Sequence, residues 1–348
     1  MATDTQYTSK RKFSPGLLIK LLISLALCIG LYYQLFVHND IVELWKSLRH
    51  RIEIAPVWMP ILVVTLLPFN LLLEAMKFRL LLPSSMRPTV STALRRVCAG
   101  LSIGLFTPNR VGEYIGRLTG TTSDQRVATV AATFLGGIAQ WIPLLGGGVL
   151  CAIGFNQYGD FQISSQQTNI AAAFICVGLL VFFAFLPRVV QVVERLWSSF
   201  RQNLALGPRL HRFSVQISYT LRGIRKLASE RPGDVRLALL IACGRYLIYL
   251  IQLSLAFVFF GLEAGLEIAV LGSGLLLFAQ TFVPLPAFIQ ALARVELALL
   301  LWAAYEPNEL GLASASFLIF VLNLGIPALL GLVEILRSDV DKTLGINA

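Results

Sequence analysis

Apolar residues in this chain neither alternate with polar ones nor recur at a helical period; they run together. Six runs, residues 16–37, 56–73, 127–155, 169–187, 237–261 and 310–336, reach or approach the ~20 residues that cross a hydrocarbon layer ~30 Å thick at ~1.5 Å per residue. The second run predicts a helix that continues through "EAMKFRLLL". The first follows a basic leader (Lys10, Arg11, Lys12), but it is too long for a signal core and no A-x-A site follows, so it reads as a retained anchor. Two further segments, residues 97–120 and 268–305, are apolar overall yet broken near the middle by proline and charge.

Basic residues decide which end of each run faces the cytoplasm. Residues 188–236 carry Arg188, Arg195, Arg201, Arg209, Arg212, Arg222, Arg225, Lys226, Arg231 and Arg236 against Glu194, Glu230 and Asp234, so this loop is expected inside. The leader, residues 1–15, and residues 77–96, with Lys77, Arg79, Arg87, Arg95 and Arg96, are expected there too. Residues 156–168, 261–267 and 306–311 hold no Lys or Arg and are expected outside. Residues 38–55 are the exception: Lys46, Arg49 and Arg51 are balanced by Asp40, Glu43 and Glu53, and the apolar spacing suggests an amphipathic helix on the outer surface. With these faces fixed, each broken segment must go in and come back, one from either side. The expected fold is an all-α polytopic membrane protein: six full transmembrane helices plus two oppositely inserted broken or re-entrant helix pairs, an inverted repeat. It forms a single domain over residues 1–348, with both termini cytoplasmic.

Composition agrees and removes several classes of function. Of 348 residues 56% are hydrophobic and 14% charged, the mean hydropathy is +0.73 and the net charge +10; soluble domains carry about 25% charge. Cys28, Cys98, Cys151, Cys176 and Cys243 are scattered singly, as small buried hydrophobes rather than disulfide or metal partners. His38, His50 and His211 lie apart, and there is no P-loop, D-x-D or G-x-S-x-G, so no motif asks for a metal, a cofactor or a catalytic residue. The stretch "LHRFSVQISYTLRGIRKL" suits a helix on anionic lipid; it lacks the interleaved aromatics of a nucleic-acid platform.

The breaks hold the candidate chemistry. A broken helix leaves backbone groups that cost several kcal/mol each in hydrocarbon, so it persists where it lines a polar cavity. In "GLFTPNRVGEYIGR" Pro108 breaks the helix, which is expected to restart near Asn109 and offer its N-terminus to an anion. Arg110, Glu113 and Arg117 then share one face, while Gly112 and Gly116 let a neighbouring helix approach. Arg110 suits a bidentate phosphate contact, with Glu113 holding it or meeting a cationic group. The alternative is that all three are ordinary charges at the membrane surface. In "VPLPAFIQALARVEL", Pro284 and Pro286 make the second break, and Gln290, Arg294 and Glu296 follow. Arg294 and Glu296 point in different directions, and Glu296 is expected to pair with Arg110 across the two breaks, unless it serves one internal salt bridge. Arg245 is expected to face the bundle interior. Asn70, Glu74, Gln140, Gln280 and Asn323 line a path or bond between helices.

Pro108, Arg110, Gly112 and Glu113 match the P-x-R-x-G-E signature, so the chain resembles the lysylphosphatidylglycerol synthase transmembrane-region family, the flippase-like part of the bacterial multiple peptide resistance factor. That family's second signature, roughly P-x-G-x-G-x-R-E, is echoed by "IQALARVEL", with Ala291 and Ala293 at the glycine positions, Arg294 displaced by one and Glu296 in place. The resemblance implies a stand-alone bacterial inner-membrane protein that moves or handles an anionic phospholipid or polyprenyl-phosphate-linked lipid. It also implies no aminoacyl-transferase activity, and a lipid-modifying enzyme or a second copy, as a homodimer, for a partner. Two other classes stay open: an intramembrane transferase using Glu113 as a base, and a non-transporting scaffold for a lipid-modifying enzyme.

Overall fold

The computed structural model describes residues 42, 46, 49, 50, 53, 55–107, 110–158, 165–203, 208–282, 286–305 and 309–337, all its regular elements being helical. The first apolar run, most of the outer amphipathic stretch and both termini lie outside the described residues, as do Pro108 and Pro284. In chain order the helices are α1 (Trp58–Leu81), α2 (Val90–Gly104), α3 (Gly112–Arg117), α4 (Arg126–Asn156), α5 (Ser165–Ala184), α6 (Leu186–Asn203), α7 (Pro208–Glu230) and α8 (Pro232–Phe259). After them come α9 (Gly265–Thr281), α10 (Ala287–Leu301), α11 (Glu309–Phe320) and α12 (Ile326–Arg337), the last two joined by a π turn, Val321–Gly325.

Four of the described helical rods are long and apolar enough to cross a membrane: α1, α4, α8 and the α11–α12 rod. A fifth candidate is α5 with α6, but the two are bent by 75° at their junction. The protein is therefore a multi-pass membrane protein with four or five candidate spans among the described residues. The straight span read over residues 169–187 gives way to this bend, since Pro187 cannot donate a backbone hydrogen bond and the chain turns at Phe185. Outward faces are oily. Ile61 and Phe69 on α1, Leu240 and Leu247 on α8, and Leu329 and Leu330 on α12 are all exposed, as side chains bathed in lipid are.

The helices pack where small residues or aromatics permit it. A Cβ on Gly331 of α12 would lie 2.0 Å from the Cys98 carbonyl oxygen of α2, so those helices touch backbone to backbone. Trp302 is fully buried, edge-on to Phe257 at 4.9 Å between ring centroids. Leu105 and Phe106, where α2 ends, share an apolar cluster with Ala287 and Ala291 of α10, so the two breaks meet inside the bundle.

Polar ties mark the two ends of the bundle. At one end Arg87 bonds Asp234 at 2.9 Å, and Arg231 donates to the carbonyls of Leu82 at 2.9 Å and Leu80 at 3.1 Å. At the other, the Tyr158 hydroxyl donates to Glu267 at 2.6 Å. The basic connections between α1 and α2 and between α7 and α8 thus share one end, and Tyr158 and Glu267 mark the opposite one. Two of the counted basic residues sit elsewhere: Lys77 is 2% and Arg96 9% exposed, because α1 and α2 extend past the oily runs and carry them into the protein.

Candidate functional site

Because α1 continues to Leu81, Glu74 and Lys77 fall one turn apart on its inner face, 6% and 2% exposed. Glu74 is the hub of a buried ionic cluster. Its carboxylate takes Lys77 Nζ at 2.7 Å, Arg117 Nη2 of α3 at 2.6 Å and Arg245 Nη1 of α8. Arg245 also donates to Asn70 Oδ1 and to Gln140 Oε1, both at 2.9 Å. An isolated charge here is prohibitive; the Glu74 carboxylate meets three cations and the amides share Arg245, while the buried Arg117 Nε has no hydrogen-bond partner among the described residues. The amides continue away from the charges: Asn70 Nδ2 donates to Asn323 Oδ1 at 3.2 Å, Asn323 Nδ2 to Gln252 Oε1 at 3.1 Å, and Gln252 Nε2 to the Val63 carbonyl at 2.8 Å.

Arg117 reaches Glu74 because α3 folds back tightly on α2. A Cβ on Gly112 would sit 2.5 Å from the Ile103 carbonyl oxygen, and one on Gly116 2.2 Å from that of Ala99, so only hydrogen fits at either position. Glu113 projects from the same short helix and pairs with Arg110 at 2.6 Å and Arg117 at 2.9 Å. The Arg117 guanidinium also lies over the Phe78 ring, 5.3 Å from its centroid. Arg110 stands before the helix with φ +58°, a left-handed conformation that side chains other than Gly, Asn and Asp seldom adopt and that marks constrained functional turns.

These groups line one end of a cavity of about 730 Å³. Lys77, Arg110, Arg117, Arg245 and Arg294 face it with Glu74 and Glu113, five cations against two carboxylates. Arg294 is the least compensated: its Nε donates to the neutral Gln280 at 3.4 Å, and its buried Nη1 has no hydrogen-bond partner among the described residues. The remaining wall is apolar, with Trp141 and Leu145 of α4 and Leu179 and Phe182 of α5. Trp141 is 55% and Phe182 39% exposed among the described residues, so the apolar wall reaches the side of the bundle at α4 and α5.

The predicted residues are distributed unevenly. Arg110, Glu113, Arg117, Arg245, Arg294 and Gln290 all line the cavity, together with Asn70, Glu74, Gln140, Gln280 and Asn323. Glu296 does not: it is exposed on the far side of α10, and Arg110 takes Glu113, three residues along the chain, in place of the expected cross-break partner. The regular α-helix begins at Gly112 after a 3-10 turn at Arg110, Asn109 lying outside the described residues, and the Gly112 N–H is taken by the Thr107 hydroxyl at 2.7 Å. Pro286 stands immediately before α10, as a helix-starting proline should. Lys77 belongs to the site although its charge reads as a loop marker; its signal is the Glu74–Lys77 spacing of three residues inside an apolar helix. No protein-family model, curated protein or solved structure matches this chain.

Proposed function

We propose that the protein binds an anionic lipid by its head group in the charged cavity and carries it between the leaflets of a bacterial inner membrane. The supporting observation is the imbalance of charge in a cavity whose apolar wall reaches the side of the bundle. Glu74 and Glu113 occupy Lys77, Arg110, Arg117 and Arg245, and Arg294 has only a neutral amide; a phosphate supplies the missing negative charge. The apolar wall at Trp141, Leu179 and Phe182 suits acyl or prenyl chains that stay in the bilayer while the head group is inside. This is the activity implied by the resemblance to the lysylphosphatidylglycerol synthase transmembrane-region family.

An inverted repeat accounts for how one site serves both leaflets. Span, hairpin and span follow one another as α1, α2–α3 and α4, and again as α8, α9–α10 and α11–α12, with the first hairpin leaving from the end tied by Arg87 and Arg231 and the second from the end of Tyr158 and Glu267. Rocking one unit against the other would open the cavity to either side. The basic end faces the cytoplasm on this reading, which also assigns both termini to that side.

The test uses vesicles containing fluorescent phosphatidylglycerol and a membrane-impermeant quencher. Reconstituted protein is expected to expose the inner-leaflet label, and Arg294→Gln and Arg110→Ala each to slow exposure by about tenfold or more, the loss of a charge-assisted contact. Unchanged rates in both variants, or no exposure of any anionic lipid, overturns translocation.

A further inference from the structure

A second cationic feature lies outside the cavity, between α6 and α7. α6 leaves α5 at 75°, so with α5 taken as a membrane span it lies along the surface where α5 emerges. Leu186 and Val190 anchor it to the core. A second face carries Val192, Val193, Leu196 and Phe200, each between 44% and 65% exposed. A stripe of that kind beside a membrane-crossing helix is an interfacial anchor. The third face is polar and turns toward α7.

Between the two helices is a groove of about 670 Å³, bordered by Arg188, Arg222, Arg225 and Lys226, which runs on into a recess of about 220 Å³ bordered by Arg195 and Arg201. The acids beside these six cations are Glu194 and Glu230. Glu194 bridges Arg222 and Arg225, each at 3.3 Å, which ties α7 to α6 and fixes two guanidinium groups along the wall. Arg188, stacked on Phe185 at 5.0 Å, and Lys226 make no ion pair among the described residues. Arg188 is also one turn from Val192, so the cationic groove borders the apolar stripe directly.

We propose that this groove is a binding site for the head group of an anionic phospholipid of the cytoplasmic leaflet, whose acyl chains lie along Val192, Leu196 and Phe200. The apolar border selects a lipid over a soluble phosphate. The site stands at the foot of α5, whose Leu179 and Phe182 line the cavity, so a lipid held there is positioned beside the cavity's apolar wall; only this last relation rests on the transport reading.

The experiment uses the full chain carrying Arg294→Gln, so that the cavity contributes least. Protein is released from nanodiscs of equal phosphatidylglycerol and phosphatidylcholine, and retained lipids are counted by native mass spectrometry. Preferential retention of phosphatidylglycerol is expected. A basic residue beside an anionic surface contributes about fivefold, so adding Arg188→Gln and Lys226→Gln should lower that preference roughly twenty-five-fold. These two side chains hold no ion pair among the described residues, so unfolding temperature should fall by no more than the loss of one exposed stack, that of Arg188 on Phe185. Arg188→Lys should keep most of the preference. Equal retention of the two lipids, a double variant that matches its parent, a lysine variant that loses as much as the glutamines, or soluble glycerol phosphate competing as well as the lipid each overturns the site. Loss of transport in Arg294→Gln with retention intact separates the groove from the cavity.

Discussion

The two hairpins that meet inside the bundle, α2–α3 and α9–α10, solve the problem of buried charge in opposite ways. In the first, Gly112 and Gly116 bring the helices to backbone contact, and Arg110 and Arg117 are matched to Glu113 and Glu74. In the second, Ala287 and Ala291 pack against Leu105 and Phe320, and Arg294 meets a neutral glutamine. The half that follows the family signature residue for residue uses its charges internally, as framework. The half that departs from it leaves Arg294 without a carboxylate among the described residues. Closeness to a motif and the pairing of charge are separate properties here.

Removing Glu74 should have the largest effect. Glu74→Gln leaves Lys77, Arg117 and Arg245 facing one another, a loss of about 3–5 kcal/mol for breaking a buried ionic group, read by denaturant unfolding in detergent. Replacing Lys77 as well, in Glu74→Gln/Lys77→Met, should recover part of that loss; a strictly additive double variant breaks the picture of one coupled cluster. Next is Gly116→Ala, whose methyl group collides with the Ala99 carbonyl and should cost about 1–3 kcal/mol in the same measurement. Asn323→Leu removes the middle of the amide chain from Asn70 to Gln252 and should cost roughly 0.6–1.7 kcal/mol, the scale of interhelical hydrogen bonds in membranes. Arg294→Gln should be the mildest, neutral or stabilising, because it removes a buried charge that no carboxylate compensates among the described residues. If it destabilises as much as Glu74→Gln, the second hairpin is framework too, and the contrast between the hairpins fails.

Much of the helical layout is legible in the sequence because hydrocarbon admits so few alternatives to a helix. The four rods α1, α4, α8 and α11–α12 each fall on an apolar run, and both proline breaks are visible as interruptions. The bend after Ala184 coincides with Pro187 and the end of an apolar run, but its angle is set by packing; the π turn at Val321–Gly325 leaves no mark, since it does not interrupt hydrophobicity. Site membership is legible from polar residues at membrane depth, as for Arg245 and Asn323. Partner choice is not: Glu74 binds Arg117 and Arg245, 43 and 171 positions away, which only packing decides. Lys77 illustrates the converse difficulty. Its place after an oily run reads as a surface marker, and burial reverses that reading.

The π turn has a mechanical consequence of its own. It is equivalent to one residue inserted into an α-helix, and a residue corresponds to about 100° of rotation. Deleting a single position from Val321–Gly325 would therefore swing the last three turns of the rod away from their seat and move Gly331 off the Cys98 carbonyl. The supernumerary residue acts as a phase shifter: one rod presents Asn323 to the amide chain in its middle and a glycine to α2 further on, two alignments that an unbroken α-helical register would not deliver together.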